Sequence, residues 1–444
     1  MSPCRTARQV ANICSVTKQD VLLADKDFLF PAVFHYYAEP LVVDRAKDQY
    51  LWDVDGRQYL DFFGGILTIS VGHCNDYVND RVKRQMDRFG HVSTVYATEP
   101  MAALARKIAS ITPEGKLTRS MFTNSGTEAN ETAIIAARCF TGSTDIIALR
   151  HAYHGRSNLA LAITGHAPWR AVGSPQPGIA FAHNAYCYRC PFGLTYPNCE
   201  VRCATDVEDL IRTTTPGRVA GFIGEPIQGV GGFITPPKEY FGIVAEIVRK
   251  YGGVFISDEV QTAWGRTGNK WFGIEQWGVT PDIITSAKGL ANGSPIGLTV
   301  ARDDIAKSVP PPTISTFGGN PITAAAAHAV LDYIEQENLL AHVAGAGAHL
   351  HEGLQALAAK YPLIGEVRGM GLMWGLELVL DRQTKQPAPQ QTNQILEASR
   401  RQGILIGKGG LYGNTLRVTP PLNISKSDIT EFLTRLDRSF AEVQ

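Results

Sequence analysis

Three stretches of this 444-residue chain carry side chains of the kind that do chemistry. Lys288 stands in Ser286-Ala287-Lys288-Gly289, behind an apolar run and ahead of a glycine turn. Asp258 follows the apolar run Gly253-Val254-Phe255-Ile256-Ser257, and an acid at the carboxyl end of a central strand lies where open α/β sheets bind ligands. Asn124-Ser125-Gly126-Thr127-Glu128-Ala129-Asn130 reads as a strand end, a small-residue turn and an Ala-rich helix. Such a turn aims backbone N–H groups and the Ser125 and Thr127 hydroxyls at one point, where the helix dipole favours an anion. Each stretch alone has an ordinary reading: a solvated lysine, a capping aspartate, a helix N-cap. Together they supply a phosphate cradle, a carboxylate to keep a pyridine nitrogen protonated, and an amine to form a Schiff base with an aldehyde. Those are the needs of pyridoxal phosphate. The chain has no G-x4-G-K-[ST] and no G-x-G-x-x-G, so neither a Walker loop nor a nicotinamide fingerprint competes.

The elements that must position these residues are short and apolar on both faces. Besides the run before Asp258 they include Ser120-Met121-Phe122-Thr123, Asp145-Ile146-Ile147-Ala148-Leu149, Ala220-Gly221-Phe222-Ile223-Gly224, Asp282-Ile283-Ile284-Thr285 and Ile296-Gly297-Leu298-Thr299-Val300. Strands of this kind need helices on both sides, which predicts an α/β fold with a mostly parallel sheet. Residues 239–251 place Phe241, Val244, Ile247 and Val248 on one helical face. After Pro321 an Ala-rich stretch predicts one connector helix over 322–340, and shorter α+β elements follow. The expected organisation is an N-terminal segment over 1–60, extended or hairpin-like and packed with the small domain, a large cofactor-binding domain over 61–321, and a connector with a small α+β domain over 322–444.

Beyond these residues the sequence resembles the class III (ω-type) aminotransferases of fold type I, from about His35 to about Arg438. The resemblance rests on motifs in order: Tyr153-His154-Gly155, Glu225-Pro226-Ile227-Gln228-Gly229, Asp258-Glu259-Val260-Gln261, Lys288, and Thr316-Phe317-Gly318-Gly319-Asn320-Pro321. It implies a fold-type-I transferase with a large mostly parallel-sheet domain, and roles for particular residues. Ser125, Gly126 and Thr127 hold the phosphate, Tyr153 stacks on one ring face and Val260 packs on the other. Asp258 pairs with the ring nitrogen, Gln261 bonds the ring hydroxyl, and Glu225 orients groups near the site. Lys288 forms the Schiff base and moves the proton. Thr316 reaches the phosphate of a neighbouring subunit, implying a homodimer with shared sites, or a tetramer built from it. Arg417 binds the substrate carboxylate through a bidentate fork.

Within that class the chain is most similar to the alanine–glyoxylate aminotransferase type 2 group, through His35-Tyr36-Tyr37, Phe62-Phe63-Gly64-Gly65-Ile66 and Ser70-Val71-Gly72-His73-Cys74. Ornithine and 4-aminobutyrate transaminases carry a glutamate after the E-P-I-Q-[GS] run, which pairs with the carboxylate-binding arginine. Here that position is Val230. The resemblance therefore implies ping-pong transfer, through pyridoxamine phosphate, from an amino acid or ω-amino acid to a small oxo acid such as pyruvate or glyoxylate. The alternatives on the same fold are an ω-amine transaminase using 2-oxoglutarate, and a pyridoxal-phosphate lyase.

Forty-two Lys+Arg balance 42 Asp+Glu, so no global field draws nucleic acid or an anionic membrane. No apolar run approaches the roughly 18–20 residues of a membrane span. The first 25 residues lack the plan of a secretory signal, although Arg5, Arg8 and Lys18 leave a mitochondrial presequence open. The expected compartment is the cytoplasm, or the mitochondrial matrix in a eukaryote. Cys187, Cys190, Cys199 and Cys203 form C-x2-C-x8-C-x3-C, while Cys4, Cys14, Cys74 and Cys139 are scattered. Four thiolates in that pattern suit zinc or an iron–sulfur cluster, which would make a metal-binding or redox protein on a borrowed scaffold. The spacing is unusual for a zinc ribbon and no catalytic role needs the cluster, so the expectation is ordinary or disulfide-capable cysteines and no metal. His151 and His154 read as local hydrogen-bonding residues rather than ligands.

Overall fold

Side chains alternate across a strand, so strands apolar at every position must bury two faces at once. In the computed structural model, which describes residues 16–173 and 176–443, they do so in a central sheet. Three antiparallel strands precede it: β1 (Val43–Lys47), β2 (Tyr50–Asp53) and β3 (Gln58–Asp61). The central sheet holds β4 (Arg119–Thr123), β5 (Ile146–Leu149), β6 (Ile179–Ala182), β7 (Gly221–Gly224), β8 (Val254–Asp258), β9 (Ile283–Ser286) and β10 (Gly297–Ala301). Their spatial order is β4-β10-β9-β8-β7-β5-β6. The contacts from β9 through β6 are all parallel, and β10 runs against both its neighbours.

The two faces sort as the pleat requires. Ile146, Ala148, Ile223, Val254 and Ile256 join one apolar cluster with Ala133, Ile134 and Ala137 of the helix Gly126–Thr141. Ile147, Leu149, Phe222 and Phe255 face the other cluster, with Val207 and Ile211 of the helix Arg202–Thr214 and Phe241, Val244 and Val248 of the helix Tyr240–Lys250. Phe255 packs against Phe222 and Phe241, with ring centroids 5.4 and 6.0 Å away. Truncating such a buried ring typically costs about 3–5 kcal/mol.

Beyond the sheet, β11 (Ile364–Met370) and β12 (Met373–Asp381) form a hairpin, and β13 (Gln386–Pro387) pairs with β12. β14 (Ile404–Leu405) joins β3 in parallel, tying the N-terminal strands to the C-terminal part. β15 (Gly407–Gly409) and β16 (Thr415–Val418) complete a sheet with β12. Two expectations are corrected. The connector is two helices, Pro321–Gln336 and Leu339–Lys360, divided at Asn338, whose left-handed φ of 50° ends the first; asparagine tolerates that conformation better than most residues. The N-terminal segment, expected to be extended, contains the helix Lys18–Phe28, started by a capping box between Thr17 and Asp20. Arg5, Arg8, Cys4 and Cys14 lie outside the described residues. Among the described residues no helix is long and apolar enough to cross a membrane.

Candidate active site

Five parallel strands deliver the site at their carboxyl edge, the ligand-binding edge of open α/β sheets. Gly126 follows β4, Tyr153 follows β5, Glu225 follows β7, Asp258 ends β8 and Lys288 follows β9. All five line one cavity of about 160 Å³ together with Thr127, Val260 and Gln261. Gly126 starts its helix where the backbone must come close to β8: a Cβ there would stand 2.9 Å from the Val260 side chain.

Asp258 is 2% exposed. Its Oδ2 accepts from His154 Nδ1 at 2.7 Å and Asn130 Nδ2 at 2.8 Å, and its Oδ1 from the Val260 amide at 3.1 Å. Asn130 in turn accepts from the Thr285 hydroxyl at 2.6 Å. Neither Asn130 nor Thr285 was assigned a role from the sequence. The signal for Asn130 was its spacing, four residues after Gly126 and so on the same helix face. His154 is the local hydrogen-bonding residue the sequence suggested. Glu225 accepts from the backbone amides of Tyr153 at 3.0 Å and Gly229 at 2.8 Å. Burial pushes its carboxyl up to about 7, with Asp258 adding and His154 opposing. Lys288 is held in the left-handed region at φ 41°, a strained conformation for a non-glycine residue of the kind that clusters at active sites. Burial brings its amine down to about 8, against the pull of Asp258 and helped by Arg417.

Arg417 lies on β16, 3% exposed. Its Nη2 donates to Gln261 Oε1 at 2.7 Å, and its guanidinium sits 4.7 Å from the Phe233 ring centroid and 5.4 Å from that of Phe63. Its Nε is buried without a hydrogen-bond partner among the described residues. Burial lowers the pKa of the group, and the nearby Tyr36 opposes the shift. Val230 is buried, and its carbonyl accepts from Gly410. A Cβ on Gly409 would meet both that carbonyl and the aliphatic stem of Arg417. Phe63 stood in one of the stretches shared with the family, but its meeting with Phe233 at Arg417 left no trace in the sequence, because the two arrive from distant segments.

Besides Arg417, which reaches the cavity only through Gln261, two expected residues stand apart from it. Ser125 caps the helix, its hydroxyl accepting from the Glu128 amide at 3.3 Å. Thr316 is exposed on a loop of its own chain. The four clustered cysteines are free thiols around a separate cavity of about 20 Å³. Burial and the neighbouring thiols push Cys187 up to about 11 and Cys203 to about 12. Among the described residues no group of three or more His, Cys, Asp or Glu is arranged to hold a metal ion.

Residues 34–440 match the family model of the class-III aminotransferases. The chain belongs to that family. It is 42% identical over 426 residues, covering 96% of this chain and 88% of the relative, to the mitochondrial alanine–glyoxylate aminotransferase 2 homolog 2 of Arabidopsis thaliana. It is 37% identical over 429 residues, 94% of each chain, to the leucine/methionine racemase of Thermococcus litoralis. An amine transaminase from an uncultivated Pseudomonas species, solved with pyridoxal phosphate bound, matches with a TM-score of 0.88 at 31% identity, covering 94% of this chain and 99% of that one. This is a fold-type-I aminotransferase, and its cofactor is pyridoxal 5'-phosphate. The residues fit that group: a buried amine of lowered pKa, a backbone opened by glycine at a helix start, and a carboxylate locked by three donors all border one cavity.

A pH dependence follows for this aminotransferase. If Lys288 is the amine that bonds the cofactor, its neutral form is the nucleophile, and uptake of pyridoxal phosphate by the stripped protein should speed up from about pH 6.5 to about 8 and then level off. Stopped-flow absorbance measures the rate. A rate still climbing tenfold per unit at about pH 10 would put the amine at its ordinary value.

Proposed function

We propose that this aminotransferase moves an amino group from an amino acid or ω-amino acid to a small oxo acid, pyruvate or glyoxylate. One observation carries the reading: the buried guanidinium of Arg417 donates to the neutral side chain of Gln261, with Phe63 and Phe233 around it. An arginine with no carboxylate to release stays available to a carboxylate in both half-reactions, and its planar fork matches one.

In this reading Lys288 holds the cofactor through Nζ and then carries the proton from the donor carbon. Asp258 faces the ring nitrogen, steadied by His154 and Asn130. Tyr153 and Val260 flank the ring, and Gln261 divides its hydrogen bonding between the ring hydroxyl and Arg417. Gly126, Thr127 and Ser125 take the phosphate, Ser125 alongside its capping bond. Bound there, pyridoxal phosphate supplies the electron sink that makes the donor carbon acidic. Glu225 fixes Tyr153 and the turn at Gly229. Thr316 acts across a homodimer, on the phosphate of the other subunit. The compartment in this reading is the cytoplasm, or the mitochondrial matrix if the source is eukaryotic.

The test is one donor against three acceptors. Pyruvate or glyoxylate should exceed 2-oxoglutarate in kcat/KM by about tenfold or more, the scale of one charged contact. A preference for 2-oxoglutarate sinks the acceptor assignment.

A further inference from the structure

Arg417 does not hold its own pocket in place. The ring that covers it, Phe233, belongs to a tight turn in which Phe233 itself has φ 56°, the left-handed region a non-glycine residue enters at a cost. The turn closes on itself through Gly232 N to Gly229 O at 3.2 Å and Phe233 N to Gln228 O at 2.8 Å. From outside, Glu225 accepts from the Gly229 amide and Gly410 N donates to the Val230 carbonyl, and on the Phe233 side Arg368 of β11 donates from Nε to the Gly232 carbonyl at 2.8 Å. The same guanidinium donates from Nη1 to Glu377 Oε2 at 2.6 Å and from Nη2 to the Thr415 hydroxyl at 3.3 Å. Glu377 is fully buried on β12 and pairs in register with Thr415, two residues before Arg417 on β16. Its Oε1 accepts from Arg189 Nε at 2.5 Å, and the Tyr186 hydroxyl donates to Oε2 alongside Arg368. Arg368 thus joins the turn carrying Phe233 to the strand carrying Arg417.

We propose that Arg368 is a positioning residue for carboxylate binding, holding Phe233 and Arg417 in register through Gly232 and Glu377. The proposal rests on the reading of Arg417 as the carboxylate site. A lysine at 368 would keep the charge beside Glu377 but lacks the fork needed to reach Glu377 and Gly232 together.

The experiment uses the holoenzyme and propionate, a carboxylate without an amine, as a competitive inhibitor. Arg368→Gln should weaken its Ki by about 10- to 100-fold, the range of one buried charged hydrogen bond. Arg368→Lys should fall in between. KM for the amino acid donor should rise with it more than kcat falls, while the cofactor absorbance band stays at parental intensity. Arg417→Gln is the reference. If it leaves propionate binding unchanged, the reading of Arg417 fails first. If Arg417→Gln weakens binding and both Arg368 variants match the parent within twofold, this proposal is overturned and that reading stands. Should Arg368→Gln not fold, Arg368→Lys decides.

Discussion

Lys288→Ala should leave a folded chain whose turnover is at least about 1,000-fold below the parent. Two losses add up in that variant. The proposed proton carrier disappears, which alone is worth roughly 100- to 10,000-fold, and so does the amine proposed to bond the cofactor covalently. The fold should survive, because the side chain removed borders a cavity rather than the apolar layers. Relief of the left-handed φ of Lys288 is not expected, since alanine is as unsuited to φ 41° as lysine. The measurements are single-turnover loss of the donor, the cofactor absorbance band and the far-ultraviolet circular dichroism. A parental dichroism spectrum with the band missing is the expected pair. Added methylamine should restore a small part of the rate, since a free amine can do the proton transfer at a cost in positioning. Turnover within tenfold of the parent would refute the role of Lys288.

Asp258→Asn should cut turnover by about 100-fold or more while Lys288 still binds the cofactor covalently. The carboxylate is satisfied by His154, Asn130 and the Val260 amide, all of them donors. An asparagine cannot accept at both positions, so its NH2 group must face either the Val260 amide or the His154–Asn130 pair. A buried donor left unpaired costs about 1–3 kcal/mol, so a lowered melting temperature should accompany the rate loss. The chemical part is separable: the variant loses the negative charge proposed to keep the ring nitrogen protonated. The expected pattern is a retained but shifted cofactor band, slow donor half-reaction and a modest loss of stability. A parental half-reaction rate would remove Asp258 from the chemistry and leave it a structural residue.

The parts of the site carried by strand ends were legible in the sequence. Asp258 and Lys288 close or follow apolar runs, and such runs in an α/β sheet fix both the direction of the strand and the edge where it ends. Glu225 and Tyr153 came into view only through the family resemblance, because nothing in their immediate spacing separates them from core residues. The pocket around Arg417 was not legible. Phe63 follows the strand β3, Phe233 sits on a left-handed turn, and Arg368 comes from a third segment. Their meeting depends on tertiary packing, which local pattern does not encode. The same division explains the helices. Between Ile334 and Leu339 stand only Glu335, Gln336, Glu337 and Asn338, with no Gly or Pro to mark the break at Asn338. The helix Lys18–Phe28 did carry a local signal, the Thr17–Asp20 capping box, though its apolar face is weak and it buries no residue.

The order of strands across the central sheet bears on how the protein matures. The residues that border the cofactor cavity come from five strand ends spread between β4 and β9, and Arg417 comes from β16. No contiguous piece of the chain therefore presents more than a fragment of the binding surface. A partly folded chain would offer pyridoxal phosphate only part of that surface, whereas the finished molecule offers all of it. A ligand that binds the native state and not its precursors shifts the balance by mass action. Bound pyridoxal phosphate would therefore add to the stability of the finished fold, the more so the higher its concentration.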